Sequence, residues 1–374
     1  MRSVSSEGKH KCLPTTVCWG VKKEKRKRQS ELRAKRETIM MNKAMITNET
    51  KKRNTRYSNN QETRKPLEQY DNSTLSIAFS CSILRNVPSD RQAVQLLGHI
   101  ARITSIFKVN EIILFDDRFG ISNSSDSVNS TTDNNEVAER AIRVLEYCEC
   151  PQYLRKHLFK RHPDLQFAGL LYPLTIPHHY KIDDEWIYRE GVVTKEKSPE
   201  NKCSYINVGL ENSILSDRRL KSGLRVTVKQ NITDDKDNVP SSSLLTCKIV
   251  SPNEPFVELS IYWGYRVRYA NTIDEVMSSP LFNEPYDVTI GTSDKGISVD
   301  SIQYFKKYKH ALIVFGGVYG LESFFKPNEN DGSTTSAEYF DFYVNTCPNQ
   351  GTRTIRTEEA ICISLASLRP LLCR

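Results

Sequence analysis

From Leu75 onward the apolar and polar positions follow two different grammars. Leu75 to Phe79 is an apolar run of strand length, and Ser89 to Phe107 places Val94, Leu97 and Ala101 on one helical face. A second apolar run, Glu111 to Phe115, ends in Asp116-Asp117. Strand, helix, strand in that order implies a parallel sheet with right-handed crossovers. Residues Gly120 to Asn135, rich in Ser, Asn, Asp and Thr, read as a flexible surface loop. Helical stretches follow at Glu136 to Tyr147 and Gln152 to Arg161.

Between Phe167 and Pro255 the pattern changes to short β-rich runs, Tyr205 to Val208, Leu224 to Val228 and Leu245 to Val250, separated by polar turns. That spacing predicts a small all-β barrel inserted into the α/β domain. The run Ile261 to Tyr269 either closes the insert or returns to the main body. The α/β grammar resumes at Tyr286 to Ile290 and His310 to Phe315, and ends in a helix from Glu358 to Arg369 with Ile361, Leu365 and Leu368 on one face. The expected organisation is a basic tail over 1–70, the first part of an α/β domain over 71–166, the barrel over 167–257, and the rest of the α/β domain over 258–374.

Charge sharpens this division. The 374 residues carry a net +8, but residues 1–70 hold 19 Lys and Arg against 7 Asp and Glu, a net of +12. The other 304 residues hold 34 against 38, a net of −4. The tail has too few large apolar residues to offset the entropy of ordering, so it is expected to be disordered, with helix between Lys22 and Met45 as the exception. Its run Lys22-Lys23-Glu24-Lys25-Arg26-Lys27-Arg28 suits nuclear import or phosphate contact, and equally a solvated charged tail. Ten scattered cysteines show no paired CxxC spacing, which argues against a disulfide scaffold or zinc module; Cys148-Glu149-Cys150 reads as ordinary thiols, with a redox or metal role as the other reading. No apolar stretch reaches the length of a membrane span and residues 1–20 lack a secretory h-region, so an intracellular protein without membrane partners is expected.

Three glycine-bearing segments follow strand ends in the last third, where open α/β sheets bind ligands. They are Gly291 to Gly296, Phe315 to Gly320, and Asn345 to Thr357. None contains GxGxxG or GxxxxGK[ST], which disfavours dinucleotide and P-loop sites. The third is the most informative. It offers Asn345 and Gln350 for a ribose or base edge, then Gly351, then Arg353 and Arg356 flanking Thr-Ile. Thr357 is a good helix N-cap there, and Glu358 and Glu359 complement the helix dipole. The cap does not account for the arginines, which suit a polyanion.

Several of these segments resemble one known family. Ser80-Cys81-Ser82-Ile83-Leu84, the stretch Gly98 to Asp116, His162 to Leu171, Tyr262-Trp263-Gly264-Tyr265 and, above all, Arg353-Thr354-Ile355-Arg356-Thr357-Glu358-Glu359-Ala360 are similar to SPOUT-class RNA methyltransferases of a type also described as kinetochore-associated. The resemblance covers about Leu75 to Leu368. Asn349 stands where that family usually has glycine, and Arg85 where it usually has an acidic residue.

The resemblance implies a SPOUT (α/β knot) fold with a C-terminal trefoil knot, an inserted OB-like barrel, and a homodimer sharing its sites. It implies S-adenosylmethionine as cofactor, held among Thr292, Lys295, Gly316, Gly317, Asn345, Gln350, Ile355 and Thr357. It points to uridine N3 in large-subunit ribosomal RNA as acceptor. Arg353 and Arg356 then take electrostatic and phosphate roles, Glu358 is the candidate base, and Arg102 a further candidate. A nuclear or nucleolar location with spindle or kinetochore association is implied too, with the cytoplasm as the other location. Two other readings stand beside catalysis: a spindle or kinetochore scaffold, and an RNA-binding protein without activity.

Overall fold

The computed structural model describes residues 73–115, 127–197, 202–231, 246–277, 284–317, 320–324 and 339–372. The basic tail, with its Lys22 to Arg28 run, therefore lies outside the described residues, as do Asp116-Asp117 and the start of the Ser-rich loop.

Six parallel strands form one sheet in the order β11-β9-β10-β1-β2-β8. They are β1 (Thr74–Ser80), β2 (Glu111–Phe115), β8 (Arg266–Ala270), β9 (Val288–Ser298), β10 (His310–Phe315) and β11 (Phe342–Asn345). A parallel sheet is covered on both faces, so its strands read as nearly continuous apolar runs. In β2 all five residues are buried. Its Glu111 is only 1% exposed, and survives there because Ser76 Oγ, Tyr286 Oη and Arg268 Nε all donate to its carboxylate at 2.6–2.8 Å. The run Ile261 to Tyr269, open in the sequence, returns to the main body: β8 pairs with β2 at the sheet edge.

Helix α1 (Asp90–Ile106) starts where the Ser89 hydroxyl accepts from Gln92 N, and buries Val94, Leu97, Ile100 and Ala101 on the sheet. Helix α2 (Ser127–Glu149) begins nine residues before the expected Glu136, so part of the presumed loop is helical. A helix driven by its buried Ala138, Ala141, Val144 and Leu145 propagates into poor helix formers once nucleated. It is followed by α3 (Gln152–Leu158). Cys148 and Cys150, at the end of α2, are buried thiols that desolvation pushes up to about 12, in keeping with packing rather than reactivity.

Five strands close a barrel in the order β3-β4-β5-β7-β6: β3 (Tyr188–Lys197), β4 (Ser204–Asn207), β5 (Ile214–Ser216), β6 (Arg225–Gln230) and β7 (Thr246–Val250). Only β5 and β7 run parallel. This is an OB-like barrel around Ile206, Val208, Ile214, Val228, Cys247 and Ile249. Phe167 to Ile176, expected inside the insert, packs on the α/β core instead. A short helix, α4 (Glu254–Leu259), leaves the barrel, and α5 (Ile273–Met277) follows β8. The last helix, α6 (Thr357–Leu372), buries Ile361, Leu365 and Leu368 as its apolar period requires. Among the described residues no helix is long and apolar enough to cross a membrane.

Candidate active site

Four segments leave the C-terminal ends of parallel strands and meet around a cavity of about 470 Å³. They are the 3-10 turn Cys81–Asn86 after β1, residues Thr292 to Asp294 in the second half of β9, the turn after β10, and the loop between β11 and α6. The last three carry glycine or polar signals in the sequence. The turn after β1 adds Ile83, Asn86 and Val87, and α1 adds Leu96. Ile83 falls in the Ser80 to Leu84 run that carries the family resemblance, whereas Asn86, Val87 and Leu96 give no sequence signal of a site.

The expected loop Gly291 to Gly296 is instead part of a long strand with a bulge. Pairing jumps from Gly291 with Tyr343 to Ile297 with Val344, so the residues between are out of register with β11, and Thr292, Ser293 and Asp294 among them line the cavity. A Cβ on Gly296 would lie 2.6 Å from the Val344 carbonyl carbon and 2.7 Å from Tyr343 O, so two backbones cross here at a distance only glycine allows. Asn345 fastens the crossing. Its Nδ2 donates to Asp294 O at 2.9 Å while its Oδ1 accepts from Cys347 N at 3.0 Å. Its side chain thus builds the wall.

Gly316 has the same necessity, since a Cβ would sit 2.6 Å from both Gly320 C and Leu321 N. The turn folds back on itself, with Gly320 N donating to Gly317 O at 3.1 Å. Val318 and Tyr319 lie outside the described residues. At the start of α6 the structure corrects the expected cap. Arg356 occupies the cap position, where its N–H donates to Glu359 Oε2 at 3.0 Å, one half of a capping box. Thr357 is already helical, and its hydroxyl donates to Gly316 O at 3.4 Å, tying the second glycine turn to the helix. Gln350 Nε2 donates to Thr352 O at 3.1 Å, which shapes the loop, and Gln350 lines the cavity.

Of the expected cofactor residues, Thr292, Gly316, Gly317, Asn345, Gln350, Ile355 and Thr357 line the cavity. Arg353, Arg356 and Glu358 line it as well. The Arg356 side chain is 79% exposed and Glu358 19%, with 4.0 Å between their charged atoms. Lys295 stands beside the wall, 3.5 Å from Glu322 Oε1. Arg102 is not brought to the cavity: its guanidinium donates to Thr175 Oγ1 at 3.0 Å and to the carbonyls of Leu174 and Pro173. It braces a segment in which Thr175 has φ +51°. Arg85 is exposed and also off the wall.

Glu322 is the charged wall residue that no motif marks. Ser293 Oγ donates to its Oε1 at 2.7 Å. Burial alone would raise this carboxyl, but bonds from Ser293 and its own backbone N–H, with Tyr343 and Lys295, outweigh it and hold the group below the usual carboxylate range. The wall therefore carries acidic Asp294, Glu322 and Glu358, cationic Arg353 and Arg356, and apolar Ile83, Val87, Phe315 and Ile355. Its size falls in the range of about 300–1,000 Å³ typical of small-molecule sites. Glycine turns that bring backbone groups to the wall, an apolar lining and charges at separate places fit a nucleoside with a charged tail. Among the described residues no cluster of His, Cys, Asp and Glu is placed to hold a metal ion.

A family model described as "Putative RNA methyltransferase" matches residues 74–368. The chain belongs to this RNA methyltransferase family. The match takes in the sheet, the barrel and α6, and so every segment that builds the cavity. The chain is 42% identical over 298 residues to the "28S rRNA (uridine-N(3))-methyltransferase" of Homo sapiens, covering 79% of this chain and 78% of that one. The Drosophila melanogaster protein of the same name is also 42% identical, over 307 residues, 79% of this chain and 62% of its own. "Putative methyltransferase spot-1" of Caenorhabditis elegans is 32% identical over 314 residues, 79% and 80% of the two chains.

Proposed function

We propose that this methyltransferase moves a methyl group from S-adenosylmethionine to N3 of a uridine in large-subunit ribosomal RNA. The reading is carried by the strand-end cavity with Arg353 and Arg356 on its wall, in a chain 42% identical to a protein named for that reaction. S-adenosylmethionine, when bound, supplies an electrophilic methyl on a sulfonium. Gly316, Gly317 and the loop from Asn345 hold it through backbone groups and close packing, so that little of the rate needs catalytic side chains.

Uridine N3 carries a proton that must leave as the new N–C bond forms and the C–S bond breaks. Glu358, at the first turn of α6 and 19% exposed, takes that proton. Arg353 and Arg356 stabilise the negative charge that develops on the base and hold the adjacent phosphate. The barrel presents strands and loops to the RNA. The tight crossing of Gly296 beside Val344 is in keeping with a C-terminal segment threaded as the SPOUT trefoil knot; a homodimer sharing the site is part of the same proposal.

Purified protein given labelled S-adenosylmethionine and large-subunit RNA should transfer label to a uridine N3. Replacing Arg353 and Arg356 together with Ala should reduce transfer by about 100-fold or more. Transfer untouched by the double substitution would remove the site assignment, and label on another atom would remove the acceptor.

A further inference from the structure

At the rim of the cavity stands an opposed pair of charges that the reaction above does not use, Glu322 on the wall and Lys295 beside it. Lys295 and Glu322 stand 3.5 Å apart, the first on the bulged part of β9 and the second on the turn after β10. An exposed ion pair contributes little to stability, so folding alone does not explain its place at a ligand cavity.

The pair is held as a unit. Ser293 Oγ donates to Glu322 Oε1 at 2.7 Å and accepts from Lys295 N at 3.2 Å, so one hydroxyl fixes both the carboxylate and the backbone that bears the lysine. Gly320 turns with φ +74°, and a Cβ there would lie 2.3 Å from Glu322 Oε2. That residue must be glycine for the carboxylate to stay where it is. The Lys295 side chain is 71% exposed and able to swing, whereas Glu322 is 27% exposed and fixed.

Resting on the proposed function, we infer that Lys295 and Glu322 form the subsite for the amino-acid end of the cofactor, Lys295 taking its carboxylate and Glu322 its ammonium. An α-amino acid is a zwitterion whose two charges sit a few bonds apart. A donor and an acceptor side by side match it, and each can exchange its partner for a ligand charge of the same sign without leaving a group unpaired. Arg353 and Arg356, on the loop before α6, stay available to RNA. The assignment gives the cavity a direction: the methionyl end lies at the β9 bulge, and the acceptor base enters beside α6.

Calorimetry on the full chain tests this with three ligands: S-adenosylmethionine, S-adenosylhomocysteine and 5′-methylthioadenosine, which lacks the amino-acid end. Wild-type protein should bind the first two at least about tenfold more tightly than the third. Glu322→Gln and Lys295→Met should each weaken the first two by about tenfold and leave the third within about twofold. An equal loss for all three ligands, or no loss for any, overturns the subsite while leaving the cofactor reading standing. If wild-type protein binds none of the three, the cofactor reading itself fails.

Discussion

Arg225 of β6 grips Glu149 at the end of α2 with both terminal nitrogens, Nη1 to Oε2 at 2.6 Å and Nη2 to Oε1 at 3.0 Å. Its Nε reaches Glu190 of β3 at 2.8 Å. Glu190 is further held by Thr227 Oγ1 and Trp263 Nε1, each at 2.6 Å, and Glu149 by His178 Nε2 at 2.9 Å. One guanidinium thus joins the barrel to the α/β body across two carboxylates whose side chains are 8% and 4% exposed. Removing it leaves both without their cation. Arg225→Met should cost about 3–5 kcal/mol, the usual loss on breaking a buried pair from one side. Urea unfolding reads it directly, and a midpoint equal to wild type would show that the clamp contributes nothing.

The same junction sets an acid sensitivity. His179 Nε2 lies 2.7 Å from Glu149 O, and burial, reinforced by neighbouring His178, pushes its pKa down from 6.5 to about 4. The folded value is below the unfolded one, so the unfolded chain takes up a proton first as pH falls. Stability is whole above pH 6.5 and is lost between there and about pH 4. For Glu149 burial acts upward, but Arg225 and His178 hold the carboxyl far below its ordinary 4.5, so its contribution is lost only below that ordinary value. His179→Gln keeps a donor near the Nε2 position without a titration. Melting temperatures across pH 4 to 7 should fall less steeply in this variant; identical slopes would place the sensitivity elsewhere.

How much of this was readable beforehand differs from element to element. Glu111 to Phe115 and His310 to Phe315 match β2 and β10 at both ends, because a doubly covered parallel strand announces itself as an apolar run. Strand β3 carries no such local signal, for the opposite reason. Arg189 and Glu190 sit near its start, and both are buried, one between Tyr153 and Tyr180, the other under Arg225. Their burial depends on partners far along the chain, which no local pattern shows. The cap at α6 lies one residue before the expected Thr357: Thr357 satisfies the local rule, but the reach of Glu359 back to Arg356 decides the actual start. Asn349, where the resembled family usually has glycine, adopts φ +59°, a conformation asparagine tolerates. Glu322 had no motif to betray it, since only the folding back of the Gly316 turn brings it to the wall.

Glu358 invites a test that separates chemistry from helix capping. A glutamate in the first turn contributes through the dipole about 0.3–1 kcal/mol, and Gln there removes the charge while keeping the shape. If Glu358 takes the N3 proton, Glu358→Gln should lower kcat by about 100-fold or more with KM for RNA and cofactor affinity little changed. A small drop in melting temperature with unchanged kcat would leave it a dipole partner and nothing else.

Two glycines in the site loops should respond oppositely to the same change. At Gly316 an added Cβ meets backbone atoms of Gly320 and Leu321 at 2.6 Å, and backbone cannot swing aside as a side chain can. The turn would have to open, which displaces the carbonyl that accepts from Thr357 and, with it, the start of α6. Gly351 has nothing within 4 Å of where a Cβ would be, so alanine there meets open space. Gly316→Ala should weaken S-adenosylmethionine binding by about tenfold or more, while Gly351→Ala should bind within about twofold of wild type and match its melting temperature. Calorimetry on the two variants decides the matter. Equal affinities would mean that the Gly316 turn is remote from the ligand, and the cofactor would then have to lie along the β11–α6 loop alone.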